Sequence, residues 1–569
     1  MTAGTRNRGV ALPASAPAIR KVLAPALTRV WVMLIAPSLA YFAGFCLLTY
    51  PLIWSFRSAL FADEGDGLQN YWNLWWVDTA LTRLHQSPWF TPFLHYPGGV
   101  SLLGQTLNPF NGFAGVVLLR WLSLAETYNI IVIFSFVMGG LTTFWLARAC
   151  GGTWWSSLIA GGIFTFSSYH FAHAQGHLQL VSLEWLPLFL LCWLHLLERP
   201  AVWRALAAAV TLLLVQWCDY YYFFYCVLVG ALFLAWQVWR ARDQRTWLVQ
   251  RTRLVALGVF GVAALVLTGP LPAALYLLNR RDPLSGAHED PVFSLQLPSL
   301  LIPGGHWRFA GLTEWYWSLL PGNIYETSVS LGIAMCLLLM ATWRLRHRLR
   351  DTSLRFWYLM LVIFALLALG PEIVTGVVEW RFTYGLTPYG LLERVFPPLR
   401  LSGMPIRMVV IVTLAAALIC ALGLPVLWQQ SKRQRIHVAV LLALMVIELL
   451  PAPLPQTHLA LPAYYVALQQ RADNLAVLDL ATDQYHALAY QTMVNRPLAS
   501  GYVSRLPASA EARDAEIARL VRAGRYDVLY GQDHFGYLIA PTNEPQPCDA
   551  ALYRDQTATV YDLAACAKR

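Results

Sequence analysis

The sequence predicts an all-α polytopic membrane protein of about eleven transmembrane helices, followed by a small C-terminal α/β domain. Three observations predict it. Only 13% of the 569 residues are charged, against 57% hydrophobic, about half the charge of a soluble domain, and mean hydropathy is +0.49. The apolar residues gather into runs near the ~20 residues that a hydrocarbon core of about 30 Å requires. Basic residues recur as short clusters between those runs, the pattern of cytoplasmic loops under the positive-inside rule. The net charge of +10 is therefore spread over loops and headgroup contacts, and the reading excludes nucleic acid as a partner.

Residues 1–29 form a cytoplasmic tail carrying Arg6, Arg8, Arg20, Lys21 and Arg29. The apolar run that follows, 30–54, is too long for a signal-peptide core and reads as a signal anchor. It opens the transmembrane region, 30–450, and exits to a first external loop, 55–127. Within that loop 110–124 is apolar but short and holds Arg120, so it reads as an interfacial helix. Spans follow at 128–147, 154–169, 178–197, 205–218 and 221–239, returning to Arg240, Arg242, Arg245, Arg251 and Arg253 inside. The span 254–278 leads to an external loop, 279–325, and 327–343 returns to Arg344, Arg346, Arg348 and Arg350. Spans 356–371 and 407–428 bracket the external loop 372–406, and 437–450 leaves the tail outside.

The tail, 451–569, begins with a stiff linker holding Pro451, Pro453 and Pro455. The apolar run 475–480 predicts a buried strand, 508–523 a helix, and 526–530 and 557–563 further strands. Seven cysteines lie in or beside apolar runs and act as small hydrophobes. Cys548 and Cys566 lie in the polar tail, where an oxidising compartment favours a disulfide.

The external loops hold the residues that carry chemistry. The first contains Asp63, Glu64, Asp66, Asn70 and Asn73 among aromatics. Wound as a helix at about 100° per residue, Asp66, Asn70 and Asn73 share one face, turned to water or a cleft. Leu68, Tyr71, Trp72, Trp75 and Trp76 cover the other, toward lipid or protein. Asp66 with Gln69 also fits a capping box, but three carboxylates in one short run after a membrane exit favour function. A second cluster, His170, His173 and His177, can share a helical face at the outer end of a span. These histidines could ligate zinc, donate to an anion, or sit at the interface without a role. Gly176 interrupts the helix, and no nearby Cys or carboxylate completes a zinc signature. Glu184 within an apolar run, Asp219 at an outer boundary, Glu326, Arg400 and Arg407 are further candidates, the arginines as phosphate clamps.

The first span followed by an external loop with Asp63, Glu64 and Asp66 resembles the GT-C class of polytopic glycosyltransferases. The resemblance extends to Tyr96-Pro97-Gly98-Gly99 with Asn108-Pro109, the His-rich turn, 397–407 and Gly501-Tyr502-Val503-Ser504-Arg505. Asn323-Ile324-Tyr325-Glu326 loosely resembles the Thr-Ile-x-Glu motif of oligosaccharyltransferases and lacks its Thr.

The resemblance implies an inverting transfer of a sugar from a polyprenyl-phosphate donor to an extracytoplasmic acceptor in the bacterial plasma membrane. It implies catalysis by Asp66 or Asp63, with Glu64, and substrate binding by Asn70, Asn73, His170, His173, His177, Glu326, Arg400 and Arg407. Some members use a divalent ion, so a metal cofactor stays open. Transport, with Glu184 and Asp219 as pathway residues, and a non-catalytic scaffold or sensor are the alternatives.

Overall fold

A computed structural model describes residues 27–241, 250–286, 288–349, 353–375, 378–401 and 403–568. The expected tail up to residue 26, and Arg242, Arg245 and Arg350, lie outside the described residues.

Six described helices are long and apolar enough to cross a membrane: Leu27–Leu48, Leu124–Ala149, Leu178–Glu198, Tyr220–Arg240, Arg251–Thr268 and Pro405–Gln429. Val202–Cys218, Ile333–Arg344 and Ser353–Ala368 are shorter apolar helices. The protein is a multi-pass membrane protein with a mostly helical fold. Pro405–Gln429 is the central helix, its most apolar stretch 89% buried, and it packs against Trp154–Thr165, Ser353–Ala368 and Ile333–Arg344. Leu27–Leu48 and Arg251–Thr268, each 17% buried, lie at the periphery.

Three expected spans are cut short at one end, each for a local reason. The run 154–169 divides into Trp154–Thr165 and Ser168–His173, because the Ser167 side chain accepts the His170 N–H and caps a new helix. The run 254–278 stops at Thr268, where Pro270 and Pro272 start Pro270–Arg281. The run 327–343 begins only at Ile333, after Gly332 at φ +86°, a conformation that favours glycine.

In the tail, a four-stranded sheet runs in the order Ala476–Asp479, Phe535–Pro541, Ala558–Asp562, Ala551–Arg554. The first pair is parallel and the other two antiparallel. Cys548 and Cys566 form a disulfide. The expected helix lies at Ala508–Arg522. The expected strand at 526–530 is instead a helix, Tyr526–Gly531. Its alternating Tyr and Val imitate a strand, but helical winding buries Leu529 against Leu563–Cys566. The strand place beside Ala476–Asp479 goes to Phe535–Pro541, whose burial is continuous through Ala540.

The tail shares a core with the first external loop. Trp72, Trp75 and Trp76 pack with Tyr465, Leu488 and Ile539, and the Trp72 indole donates to Gln491 Oε1 at 2.6 Å. Leu60 and Thr457 exchange backbone hydrogen bonds, which ties the linker to the loop. The Asp66–Asp78 helix is consequently roofed by protein, its aromatics toward the tail.

Candidate active site

The turn before the Asp66–Asp78 helix is built by Asp63. Its Oδ1 accepts the backbone N–H groups of Gly65 (3.1 Å) and Gly67 (2.9 Å), and its own N–H donates to the Gln175 carbonyl at 2.6 Å. This joins the first loop to the histidine turn. Gly176 permits the approach: a Cβ there would stand 2.8 Å from Asp63 Oδ1 and 2.9 Å from Gly67 N. The capping residue is Gly65, without a side-chain bond, so the capping box of Asp66 and Gln69 does not form. Gln69 Nε2 donates instead to Thr106 Oγ1 at 2.9 Å and Ser504 Oγ at 3.2 Å. Asp66 lies in the first turn, where the positive end of the helix favours a carboxylate.

From Asp66 a chain of polar contacts runs inward. Asp66 Oδ2 meets His177 Nε2 at 2.7 Å, and His177 Nδ1 meets His173 Nδ1 at 2.9 Å. His173 Nε2 lies 3.8 Å from Glu326 Oε2. Glu326 accepts from Arg407 through Nη2 at 2.5 Å and Nε at 3.2 Å, and the guanidinium lies 4.8 Å over the Tyr221 ring. Glu326 and Arg407 are buried, so each compensates a charge that would otherwise be costly inside the protein.

Hydrogen-bond logic restricts the tautomers. A neutral His177 that donates from Nε2 to Asp66 must accept at Nδ1, so His173 donates from Nδ1. Protonated His177 donates at both nitrogens, and His173 then turns its N–H toward Glu326. Either way, the 3.8 Å between His173 Nε2 and Glu326 is too long for a hydrogen bond, so the bonded chain ends at His173. Burial pushes the Asp66 carboxyl up, but the His177 hydrogen bond and charge, with Arg407, hold it below the usual range. Burial pushes His177 down, and Asp66 outweighs it, leaving the imidazole above its usual value. Burial holds His173 well below that value despite Glu326. Glu326, although burial raises it, is brought down to about 2 chiefly by the charge of Arg407. Asp63 is raised by its own burial against the pull of the Gly67 N–H.

Other expected site residues fall elsewhere. Glu64 is exposed and faces His486 at 3.8 Å; the turn that Asp63 forms points it away from the helix. Asn70 and Asn73 are buried rather than turned to water, because Gln105, Thr106 and the histidine turn at Gly176 cover their face. Asn70 Nδ2 donates to the carbonyls of Asp66 and Gly176, and Asn73 Nδ2 to that of Thr106. His170 has its ring nitrogens on the carbonyls of Thr165 and Val181 and stacks on Phe136 at 3.9 Å. Arg400 is 68% exposed and pairs with Glu393.

Asp66, His177, Glu326 and Arg407 open onto one cavity of about 370 Å³, and Asp63 is not among its lining residues. Apolar walls are supplied by Pro272, Leu275, Phe223, Phe224, Phe396 and Leu399. Sequence reasoning missed Gln105, Gln179, Gln216, Tyr221 and His288 in the lining; their only signal was proximity to a boundary or loop. Tyr502, Ser504 and Arg505, in a motif quoted for its resemblance, also line it.

Residues 38–450 match the family described as a domain of unknown function, DUF6311. The chain belongs to the DUF6311 family. No curated protein matches it. Among solved structures it is similar to the arabinofuranosyltransferase AftD from Mycobacteria, with TM-score 0.52 and 17% identity over 91% of this chain and 35% of AftD. It therefore spans about a third of the length of AftD. ArnT from Cupriavidus metallidurans gives TM-score 0.47 and 13% identity over 93% of this chain and 98% of its own. The fold is GT-C-like. The DUF6311 match ends at 450, yet the cavity takes Tyr502, Ser504 and Arg505 from beyond it.

The GT-C likeness raises a divalent ion. In this DUF6311 chain His173, His177 and Glu326 bring donor atoms within 4.8 Å of one another. Two imidazoles and a carboxylate suit zinc better than magnesium or calcium, and Asp66 holds the far nitrogen of His177 as an outer partner does. The residues fit such an ion, which would share Glu326 with Arg407.

Proposed function

We propose that this protein is a membrane glycosyltransferase. It moves a sugar from a polyprenyl-phosphate donor to an acceptor hydroxyl at the extracytoplasmic face. The observation that carries the reading is Asp66: a carboxylate at the wall of a cavity that is polar on one side and apolar on the other. Its Oδ2 is held by His177, and Oδ1 has no partner among the described residues. Such a cavity suits an amphiphile whose phosphate and sugar meet the polar groups while its chain follows the apolar wall. The Cys548–Cys566 disulfide and the basic loops support an external tail.

In the transfer, the acceptor oxygen attacks the anomeric carbon as the bond from that carbon to the phosphate oxygen breaks. The acceptor proton goes to Asp66, and polyprenyl phosphate leaves with the bonding electrons, inverting the anomeric centre. His177 orients Asp66 through Oδ2 and leaves Oδ1 for the proton. Arg407 and Arg505 face the cavity and supply positive charge for the leaving phosphate. A divalent ion held by His173, His177 and Glu326 would add Lewis-acid charge to the same end.

The test is sugar transfer by the purified protein in lipid nanodiscs, from radiolabelled polyprenyl-phosphate sugars to cell-envelope acceptors. The product is expected to carry the anomeric configuration opposite to the donor's, and Asp66→Asn to abolish its formation. Retained configuration, or solute movement without donor consumption, contradicts the reading.

A further inference from the structure

Besides its apolar side and the Arg407 end, the cavity at Asp66 has a wall made by the first loop and the tail. Trp89 and Tyr502 line it, both half-buried, and both rest on the core that the two segments share. Tyr485 packs on Tyr502, with ring centroids 5.0 Å apart and planes inclined at 36°. Gln69, Thr106 and Ser504 belong to the same lining. Gln69 is 2% exposed, and its Nε2 donates to the Thr106 and Ser504 hydroxyls at 2.9 and 3.2 Å. Its Oε1 has no partner among the described residues and is open rather than enclosed, which leaves it as an acceptor for a ligand in the cavity. The tail segment is clamped in place from two sides. The Ser504 N–H donates to Gln105 Oε1 at 2.8 Å, and Leu506–Pro507 pairs antiparallel with Leu284–Ser285.

We propose that this aromatic wall is the acceptor subsite and that the acceptor is a carbohydrate, with Trp89 and Tyr502 as the residues that position it. The inference rests on the glycosyltransferase reading and specifies its acceptor. In an inverting transfer the acceptor oxygen attacks from the side opposite the leaving phosphate. The acceptor also gives its proton to Asp66, so it lies beside that carboxylate and away from Arg407. Gln69, one helical turn after Asp66 on the same face, marks that place. A sugar ring has C–H groups on its faces and hydroxyls around its rim. Flat, half-exposed aromatic rings match the faces, and the Gln69 oxygen with the Thr106 and Ser504 hydroxyls matches the rim. A lipid chain would leave these polar groups unmet, and the cavity already has an apolar side for the donor's chain. Tyr502 and Ser504 lie beyond the DUF6311 match, which ends at 450, so the tail takes part in choosing the acceptor.

The experiment follows transfer by the full chain in nanodiscs from radiolabelled polyprenyl-phosphate sugars to the separated glycan, protein and lipid fractions of the cell envelope. Label is expected in the glycan fraction. Trp89→Ala and Tyr502→Ala should each raise the acceptor KM roughly five- to tenfold and leave the donor KM unchanged. Tyr502→Phe, which keeps the ring, should stay near wild type. Should one alanine variant fail to fold, the other carries the same prediction. Label confined to protein or lipid, an acceptor KM unmoved in folded variants, or a donor KM raised as much as the acceptor's overturns the subsite while the glycosyltransferase reading stands. Wild type that consumes no donor overturns both.

Discussion

The Asp66–Asp78 and Arg251–Thr268 helices invert the usual relation between polarity and burial. The first carries Asp66, Gln69, Asn70 and Asn73, yet residues 67–77 are all buried. The second is largely apolar beyond its first turn, and Val262, Leu265 and Val266 are 66%, 72% and 65% exposed. An apolar face is stable in the open where the solvent is hydrocarbon, and a row of amides is stable inside where its donors find carbonyls. The two helices therefore mark two environments: lipid at the rim, and a protein-lined polar interior beside the cavity.

Substitutions that exchange the two environments sharpen this contrast. The largest loss is expected for Glu326→Ala, which leaves Arg407 buried without its carboxylate and should cost about 3–5 kcal/mol of stability, read by denaturant unfolding in detergent. Leu265→Asp places a charge on the lipid-facing rim; on insertion scales it should cost about 3 kcal/mol if Leu265 lies near mid-bilayer, and membrane-insertion efficiency measures it. Asn70→Ala removes donors from the carbonyls of Asp66 and Gly176 and should cost about 1–3 kcal/mol. Leu265→Ala, in a face already open to lipid, should shift stability by no more than about 0.5 kcal/mol. A large loss there, or none at Asn70, would break the comparison.

The Asp66–His177 pair gives the polar side a pH signature. Asp66 is depressed, so its contribution is complete above the ordinary carboxylate value and is lost as pH falls through its own. His177 is raised, so its contribution is complete below the ordinary imidazole value and is lost as pH rises through its own. Stability from the pair should be level between about pH 4 and pH 6.5 and decline on either side. His177→Gln removes the main influence holding Asp66 down and leaves Arg407 alone against burial. The acid limb of the transfer rate should then move to higher pH, as a pH–rate profile would record. An unmoved limb would separate Asp66 from His177 functionally.

Much of this was legible in the sequence. The apolar runs placed most of the membrane helices to within a few residues, because their length is dictated by the bilayer rather than by tertiary contacts. Asp66, His173, His177, Glu326 and Arg407 were all named as candidates. The choice between Asp63 and Asp66 was not legible, since both sit in one acidic run. Only the approach of His177, and the use of Asp63 to bind Gly65 and Gly67, separates them. Asn70 and Asn73 read as solvent-facing because nothing local announces that Gln105, Thr106 and Gly176 cover them. Residues 526–530 imitate a strand by alternation, and helical burial of Leu529 overrides it. Gln179 and Gln216 are unremarkable in sequence; only the fold brings them to the cavity.

The central claim is that Asp66, and not its neighbour, takes the acceptor proton. Asp66→Asn and Asp63→Asn measured side by side for sugar transfer, each shown folded by its unfolding midpoint, test it most directly. Asp66→Asn should lower the rate by at least about a hundredfold. Asp63→Asn should lower it far less, since an Asn oxygen can still accept the Gly65 and Gly67 N–H groups. Full activity in Asp66→Asn, or loss confined to Asp63→Asn, would contradict it.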